Sequence, residues 1–409
     1  MTQKRSESSI TILGLGNGDE RNLTRAAWDK LHKSPIVAVR NRDHPGVLGL
    51  PGDVLVEELP KSIEARDERP DLVKLAAAWV IDLYHAHGEV TYAVPGDPLE
   101  SDAVALEVLR RGQESGIPVT VLPGVGLSAT VLDKMEWTSA DRKGTLTVID
   151  ALELASLHTP SFAPTSRVLI TQLDSASLAR QVKETLLAVY PPVHPLNVIF
   201  TTGAEPQLVP LDRLDHLEKF SPYTMAALCP LGEGTSLEDF QEIIAHLRAP
   251  DGCPWDRQQT HLTLRKHLLE ETYEALDALD REDTPGMVEE FGDLLLQIVL
   301  HAQIAAEEGE FHMADIVQGV SEKIIRRHPH VFGEVQVEGV EGVLQNWEKL
   351  KAAEREANGE ENGTKGFLDG VPRALPALSQ AFELQDRAAR VGFDWNDLQG
   401  VLEKVHEEL

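Results

Sequence analysis

The chain has 409 residues, 42% of them apolar and 26% charged, with a net charge of −29 and two cysteines, Cys229 and Cys253. That length implies two or three domains; the thiols lack the spacing of a disulfide scaffold or a Cys-rich metal site; and the acidity argues against long nucleic acid as a partner. No apolar run reaches the length of a membrane span, and the start, MTQKRSESS, lacks the apolar core of a secretory signal, so a soluble, cytoplasmic protein is expected.

After a polar tail at 1–9, Ile10-Thr11-Ile12-Leu13 reads as a strand running into the turn Gly14-Leu15-Gly16-Asn17-Gly18-Asp19, with a helix from about Thr24. Glycine-rich turns between strand and helix let backbone approach a ligand and present amides to an anion. Ile36-Val37-Ala38-Val39 is a second strand, followed by Arg40-Asn41-Arg42-Asp43-His44-Pro45, expected as an exposed polar loop. A helix around 71–85 precedes the strand Val90–Val94, the turn Pro95-Gly96-Asp97-Pro98 and a helix at 103–111. Val119–Leu122 leads through Pro123-Gly124-Val125-Gly126 to a helix from Leu127. These strand–turn–helix units indicate an α/β sheet with ligands beyond the carboxyl ends of its strands. A second lobe at 145–231 has strand-like segments at 145–149, 167–170 and 197–200, and a polar turn from Thr201 to Pro206.

GLGNGD (14–19), PGDP (95–98) and LPGVGLSAT (122–130), in that order, resemble the tetrapyrrole methylase family. The resemblance covers about 10–231 and implies two α/β lobes, about 10–140 and 145–231, with S-adenosylmethionine (SAM) between them. It carries SAM contacts onto Gly14, Gly16, Gly18, Gly96, Asp97, Pro98, Gly124, Ser128 and Thr201, the Gly96-Asp97 turn foremost. The first loop departs from the family pattern with Asn17 where Pro is common, and RNRDHP (40–45) is unlike the corrin-pathway enzymes.

A linker at 232–235 precedes a helix capped by Thr235 or Ser236, with Glu238 and Asp239 in its first turn. The loop at 249–259 holds Cys253-Pro254-Trp255-Asp256; Trp255 suits stacking on a base or anchoring at the core edge. His261 and His267 are expected to face solvent or cap a helix end. Two acidic helices follow, one with Glu270, Glu271 and Glu274, the other with Glu289, Glu290 and Asp293, divided by Glu282-Asp283-Thr284-Pro285-Gly286. Glu271 and Glu274 share one face, as do Glu290 and Asp293. The pairs are symmetric about position 282, so folding back sets Glu271 against Asp293 and Glu274 against Glu290. Four converging carboxylates need a cation, and hard oxygen donors without His or Cys suit Mg²⁺ or Mn²⁺.

EETYE (270–274) and EFGD (290–293), flanked by GCPWDRQQTHLTLRKHLLEE (252–271) and KIIRRHPHVFG (323–333), resemble the EExxE…ExxD signature of the MazG family. That family comprises all-α, Mg²⁺-dependent nucleoside triphosphate pyrophosphohydrolases. The resemblance implies metal at Glu271, Glu274, Glu290 and Asp293, attack at the α-phosphorus, and phosphate contacts from Lys323, Arg327 and Lys351. Glu274 or Glu270 would take the proton of the attacking water, and Trp255 and Trp347 are the candidate base contacts. The MazG-like all-α domain is set at 236–355. Residues 351–365 are polar and expected to be mobile, and 367–409 read as a partial second repeat, with GFDWN (392–396) echoing GCPWD (252–256). Without its own ExxD helix that repeat completes no metal site.

The whole is thus expected to be multidomain: a two-lobed α/β tetrapyrrole-methylase-like domain followed by an all-α MazG-like helical domain, the order of YabN-like fusion proteins. Expected partners are nucleoside triphosphates and a second copy of the chain, in a dimer or higher homo-oligomer, since a helix pair cannot bury both apolar faces alone. The alternative makes SAM-dependent methyl transfer the activity and the MazG unit an oligomerising scaffold. A further alternative is a nucleotide-sensing protein without turnover.

Overall fold

The computed structural model describes all residues except 1–7, 17, 19–22, 65–71, 129–144, 201–204, 222, 334, 338, 344–345, 348–349, 351–367, 369–370 and 396. The chain divides into two compact units, residues 1–263 and 264–409.

The first unit holds two sheets. In the first, β1 (Ser9–Gly14), β2 (Ile36–Val39), β3 (Leu55–Glu58), β4 (Glu89–Val94) and β5 (Val119–Leu122) lie in the order β3-β2-β4-β1-β5. Every pair in it is parallel. Such strands are buried on both faces and read as continuous apolar runs, as IVAV in β2 does with all four residues buried. The crossovers include α1 (Arg25–Leu31), α2 (Pro45–Leu48), α3 (Lys61–Glu64), α4 (Leu72–His87), α5 (Pro98–Ser101) and α6 (Ala103–Ser115). Side chains at the strand ends set where several of these begin. Thr24 caps α1, His44 caps α2, Asp97 caps α5 and Asp102 caps α6.

The second sheet has the order β6-β7-β10-β8-β9, from β6 (Leu146–Asp150), β7 (Arg167–Thr171), β8 (Pro195–Ile199), β9 (Gln207–Pro210) and β10 (Met225–Leu228). β6 and β7 are parallel and the other pairs antiparallel. Helix α7 (Ala151–Ala155) packs on it, and α8 (Ala176–Leu186) packs against α7. Side chains of both lobes, among them Tyr92 and Val104 of the first and Leu152 and Ile170 of the second, form one buried cluster.

The linker expected at 232–235 is not where compactness divides the chain. Helix α9 (Leu237–Arg248), capped by Ser236, and the short α10 (Pro254–Arg257) stay with the first unit. Just upstream, Leu231 packs against the α/β core and its amide donates to the Pro164 carbonyl at 2.9 Å.

The second unit is helical among its described residues. Helix α11 (His261–Asp280) enters it, and α12 (Thr284–Glu308), α13 (Met313–Arg327) and α14 (Pro329–Phe332) follow. Two later helices are α15 (Ala377–Arg390) and α16 (Leu398–Glu408). Residues 351–365, expected to be mobile, lie outside the described residues. No helix among the described residues is long and apolar enough to cross a membrane.

Candidate functional site

The break between the acid helices is shorter than its sequence suggests. Helix α11 ends at Asp280, and Asp283 caps α12 by accepting from the Gly286 amide at 3.2 Å. Pro285 lies in the first turn of α12, where a missing N–H costs nothing. The chain reverses through Glu282, a non-glycine residue at φ 53°.

This reversal brings the acids together. Carboxylate oxygens of Glu271, Glu290 and Asp293 all lie within 4.8 Å of one another, on half-buried side chains. Burial first, then Asp293, then Glu274 raise the Glu271 carboxyl above the ordinary glutamate range. The Glu290 carboxyl is raised by burial and then by Glu274. The strongest charged neighbours therefore pair Glu271 with Asp293 and Glu290 with Glu274, as the symmetric spacing requires. Glu274 stands outside the tight trio and is exposed, yet it hydrogen-bonds to Glu271.

Glu270 is not part of this cluster. Its carboxylate pairs with Lys266 at 2.9 Å and His267 at 3.3 Å along its own helix, and the Lys266 hydrogen bond lowers its pKa. One position from Glu271, it points about 100° away around the helix.

Lys323 and Arg327 lie one turn apart on α13, Lys323 exposed and Arg327 half-buried. Lys351 lies outside the described residues. Trp347 is half-buried with its ring edge-on to His328 at 5.3 Å. Trp255 is 55% exposed. His261 is half-buried, whereas His267 is 38% exposed in its side chain and turned to Glu270.

The α/β unit has a second cluster at the carboxyl ends of its strands. There the turns carrying Gly14, Gly96 and Gly124 meet backbone to backbone: a Cβ on Gly14 would lie 2.6 Å from both the Gly124 nitrogen and the Gly96 oxygen. Gly16 bridges to Gly96, and Gly18, at φ 90°, faces the Tyr223 ring. Asp97 joins two of the turns, its Oδ1 accepting from the Leu99 amide at 2.9 Å and its Oδ2 from the Gly124 amide at 3.0 Å. Pro98 is buried, Ser128 donates to Glu100, and Thr201 lies outside the described residues. The glycines and Asp97 thus hold the turns together, and any ligand contact shares atoms with that task.

The loop after β2, expected to be exposed, is buried at its two informative positions: Arg40 is 6% and His44 2% exposed. Arg40 Nη1 donates to both oxygens of Asp150 at 2.7 Å, joining the two lobes. Asp174 Oδ2 lies 4.0 Å from Nη2. Burial works against the Arg40 charge, but Asp150, Asp174 and Asp102 outweigh it and raise the guanidinium pKa. Gln172, at φ 57°, donates to Asp102 Oδ2 at 3.0 Å. Burial, then Asp150, push the Asp102 carboxyl up to about 6. A polar loop sequence gave no sign that the opposite lobe supplies the acids that let Arg40 be buried; they lie more than a hundred positions downstream.

Two families match this chain. Residues 9–218 match the tetrapyrrole (corrin/porphyrin) methylases, and residues 259–332 the MazG nucleotide pyrophosphohydrolase domain. The protein called YabN of Bacillus subtilis (strain 168) is 38% identical over 397 residues, covering 92% of this chain and 76% of that one. The nucleoside triphosphate pyrophosphohydrolase of Escherichia coli (strain K12) is 48% identical over 168 residues, 41% of this chain and 62% of that enzyme. The MazG pyrophosphohydrolase of Thermotoga maritima is 44% identical over 176 residues, 43% of this chain and 66% of its own length. This chain thus spans less than two thirds of either enzyme. Among solved structures, uroporphyrin-III C-methyl transferase from Thermus thermophilus, complexed with S-adenosyl homocysteine, aligns at a TM-score of 0.36 and 16% identity, covering 54% of this chain and 92% of that one.

Proposed function

The chain belongs to the YabN-like family, in which a tetrapyrrole methylase domain precedes a MazG domain, and from that premise we propose that its helical unit hydrolyses nucleoside triphosphates to monophosphate and pyrophosphate. The observation that carries the reading is the trio Glu271, Glu290 and Asp293, with carboxylate oxygens inside 4.8 Å and two carboxyls raised by burial and mutual repulsion. An all-oxygen donor set under such repulsion fits Mg²⁺ or Mn²⁺. These three residues, with Glu274 beside them, would hold the ion. When bound, it supplies positive charge against the phosphates and a more acidic water.

The chain's own groups do the rest. Glu274, exposed and hydrogen-bonded to Glu271, would accept the proton of the attacking water. Lys323 and Arg327 neutralise charge that builds on the phosphates as the α-phosphorus is attacked, and Trp255 and Trp347 offer rings to the base. Substrates are nucleoside triphosphates, and a cytoplasmic setting suits them. Pyrophosphate release from a panel of ordinary and modified triphosphates, with and without Mg²⁺, tests the reading. Asp293→Asn should lower Mg²⁺-dependent release on the order of a hundredfold or more while the helical circular-dichroism signal is kept. Turnover near that of the wild type sinks the proposal.

A second reading rests on the Gly14–Gly96–Gly124 junction, where three glycine turns meet at the carboxyl ends of β1 and β4, the end at which α/β sheets bind ligands. On it, the α/β unit binds SAM and serves methyl transfer. Calorimetric titration of the full chain with SAM tests this; no heat and no thermal stabilisation at saturating ligand would end it.

A further inference from the structure

The loop after β2 buries more hydrogen-bond donors than the protein satisfies. Arg40 Nη1 is taken by Asp150, but Arg40 Nε and Nη2 are buried without a hydrogen-bond partner. His44 Nδ1 accepts from the Gly46 amide at 3.0 Å, so the neutral ring carries its proton on Nε2. That N–H is also buried and without a hydrogen-bond partner. Leaving a buried donor unpaired costs about 1–3 kcal/mol, and the two side chains that carry these three donors line one space. Arg40 and His44 line a cavity of about 10 Å³ together with Leu15, Tyr92, Pro95, Gln172 and Asp174. The Tyr223 ring lies against His44, tilted at 47° with centroids 4.7 Å apart.

Size and charge restrict what enters. The space matches about one water-sized group, so only the tip of a ligand fits. The Arg40 charge is already balanced by Asp150 at 2.7 Å and faced by Asp174 at 4.0 Å. A carboxylate or phosphate brought there would add a further anion around a single cation. A cation would lie against the charged Arg40 guanidinium. A neutral acceptor meets neither objection.

We propose that this cavity is a ligand pocket of the α/β unit that takes one neutral oxygen, a hydroxyl or carbonyl, of the molecule on which that unit acts, and that it rejects carboxylates. The pocket borders the turns at the ends of β1 and β4, through Leu15, Val94 and Pro95. The ligand's reacting part would therefore lie beside the Gly14–Gly96 junction. The same chemistry sets this unit apart from one built for a polycarboxylate. The proposal rests on the α/β unit's acting on a small molecule but needs neither triphosphate hydrolysis nor SAM in the cavity, so its failure is separable from theirs.

The test uses the full chain with ¹⁵N-labelled arginine and histidine, reading the Arg40 Nε–H and His44 Nε2–H resonances during titration. The probes are acetamide and its isosteric anion, acetate. Acetamide is expected to shift both resonances with saturation in the millimolar range, and acetate to act at least about tenfold more weakly. His44→Asn keeps a side-chain cap for the Gly46 amide and removes the Nε2 donor. In that variant the Arg40 response to acetamide should weaken at least about tenfold. Acetate saturating as readily as acetamide, saturation by neither probe, or an unchanged response in His44→Asn would each overturn the proposal.

Discussion

Burial, and then the surrounding acids, lift the Glu271 and Glu290 carboxyls above the 4.5 of an ordinary glutamate. A carboxyl raised in the folded state holds its proton more tightly there than in the unfolded chain. Its contribution to stability is complete below the unfolded value and is lost as pH rises through the folded one. At neutral pH the metal-free hairpin therefore stands under repulsion. Glu271→Gln should raise the melting midpoint near pH 7.5 and leave it unchanged near pH 4, both measured in chelator. Mg²⁺ should reverse the order: at a hundredfold excess over Kd it adds about 2.7 kcal/mol to the wild type, and the variant should gain less. A variant no more stable than wild type near pH 7.5 in chelator would refute the repulsion. These acids were legible because two i,i+3 pairs symmetric about one turn leave little freedom in who meets whom. Glu270 was harder to assign, since only the helix phase separates it from Glu271, and Arg40 and His44 misled because polar loop chemistry looks alike whether solvent or another lobe covers it.

Among the elements, the turn between α11 and α12 shows how a local rule is bent. A helix commonly ends with a left-handed residue, usually glycine, but here Glu282 takes that place at φ 53°. An L-residue pays about 1–2 kcal/mol for that conformation. Glu282→Gly should recover on the order of 0.5–1 kcal/mol after the added freedom of the unfolded chain is subtracted. The check is the denaturant midpoint, with hydrolysis unchanged; a lower midpoint would mean that Glu282 stabilises the turn through its side chain. Elements with strong periodicity were readable, and β2 and β5 fall on the segments expected, Ile36–Val39 and Val119–Leu122. The central strand β10, Met225–Leu228, escaped notice because MAAL carries no β-branched or aromatic residue. Its place between β7 and β8, fully buried, is set by small side chains packing on both faces.

At the scale of the whole molecule, the acid hairpin looks like half of a bundle. On α12 the exposed apolar residues Val288, Phe291, Leu295 and Ile298 recur at spacings of three and four. On α11 Leu269, Tyr273 and Leu276 do the same. Sustained three–four spacing is the seam of helices that pack with a small crossing angle, and two hairpins of this kind close a four-helix core. A second copy of the chain is the expected occupant, because it brings the same two stripes. It would also bring a further net charge of −29, so association should strengthen with salt that screens the repulsion. Sedimentation should find a dimer at micromolar concentration, with a melting midpoint that rises with protein concentration. Leu295→Glu would place a charge in the seam, giving a monomer whose midpoint no longer depends on concentration and whose pyrophosphate release falls with the loss of the bundle. A wild-type chain that sediments as a monomer at all salt concentrations would rule out the bundle and leave the stripes to a different partner.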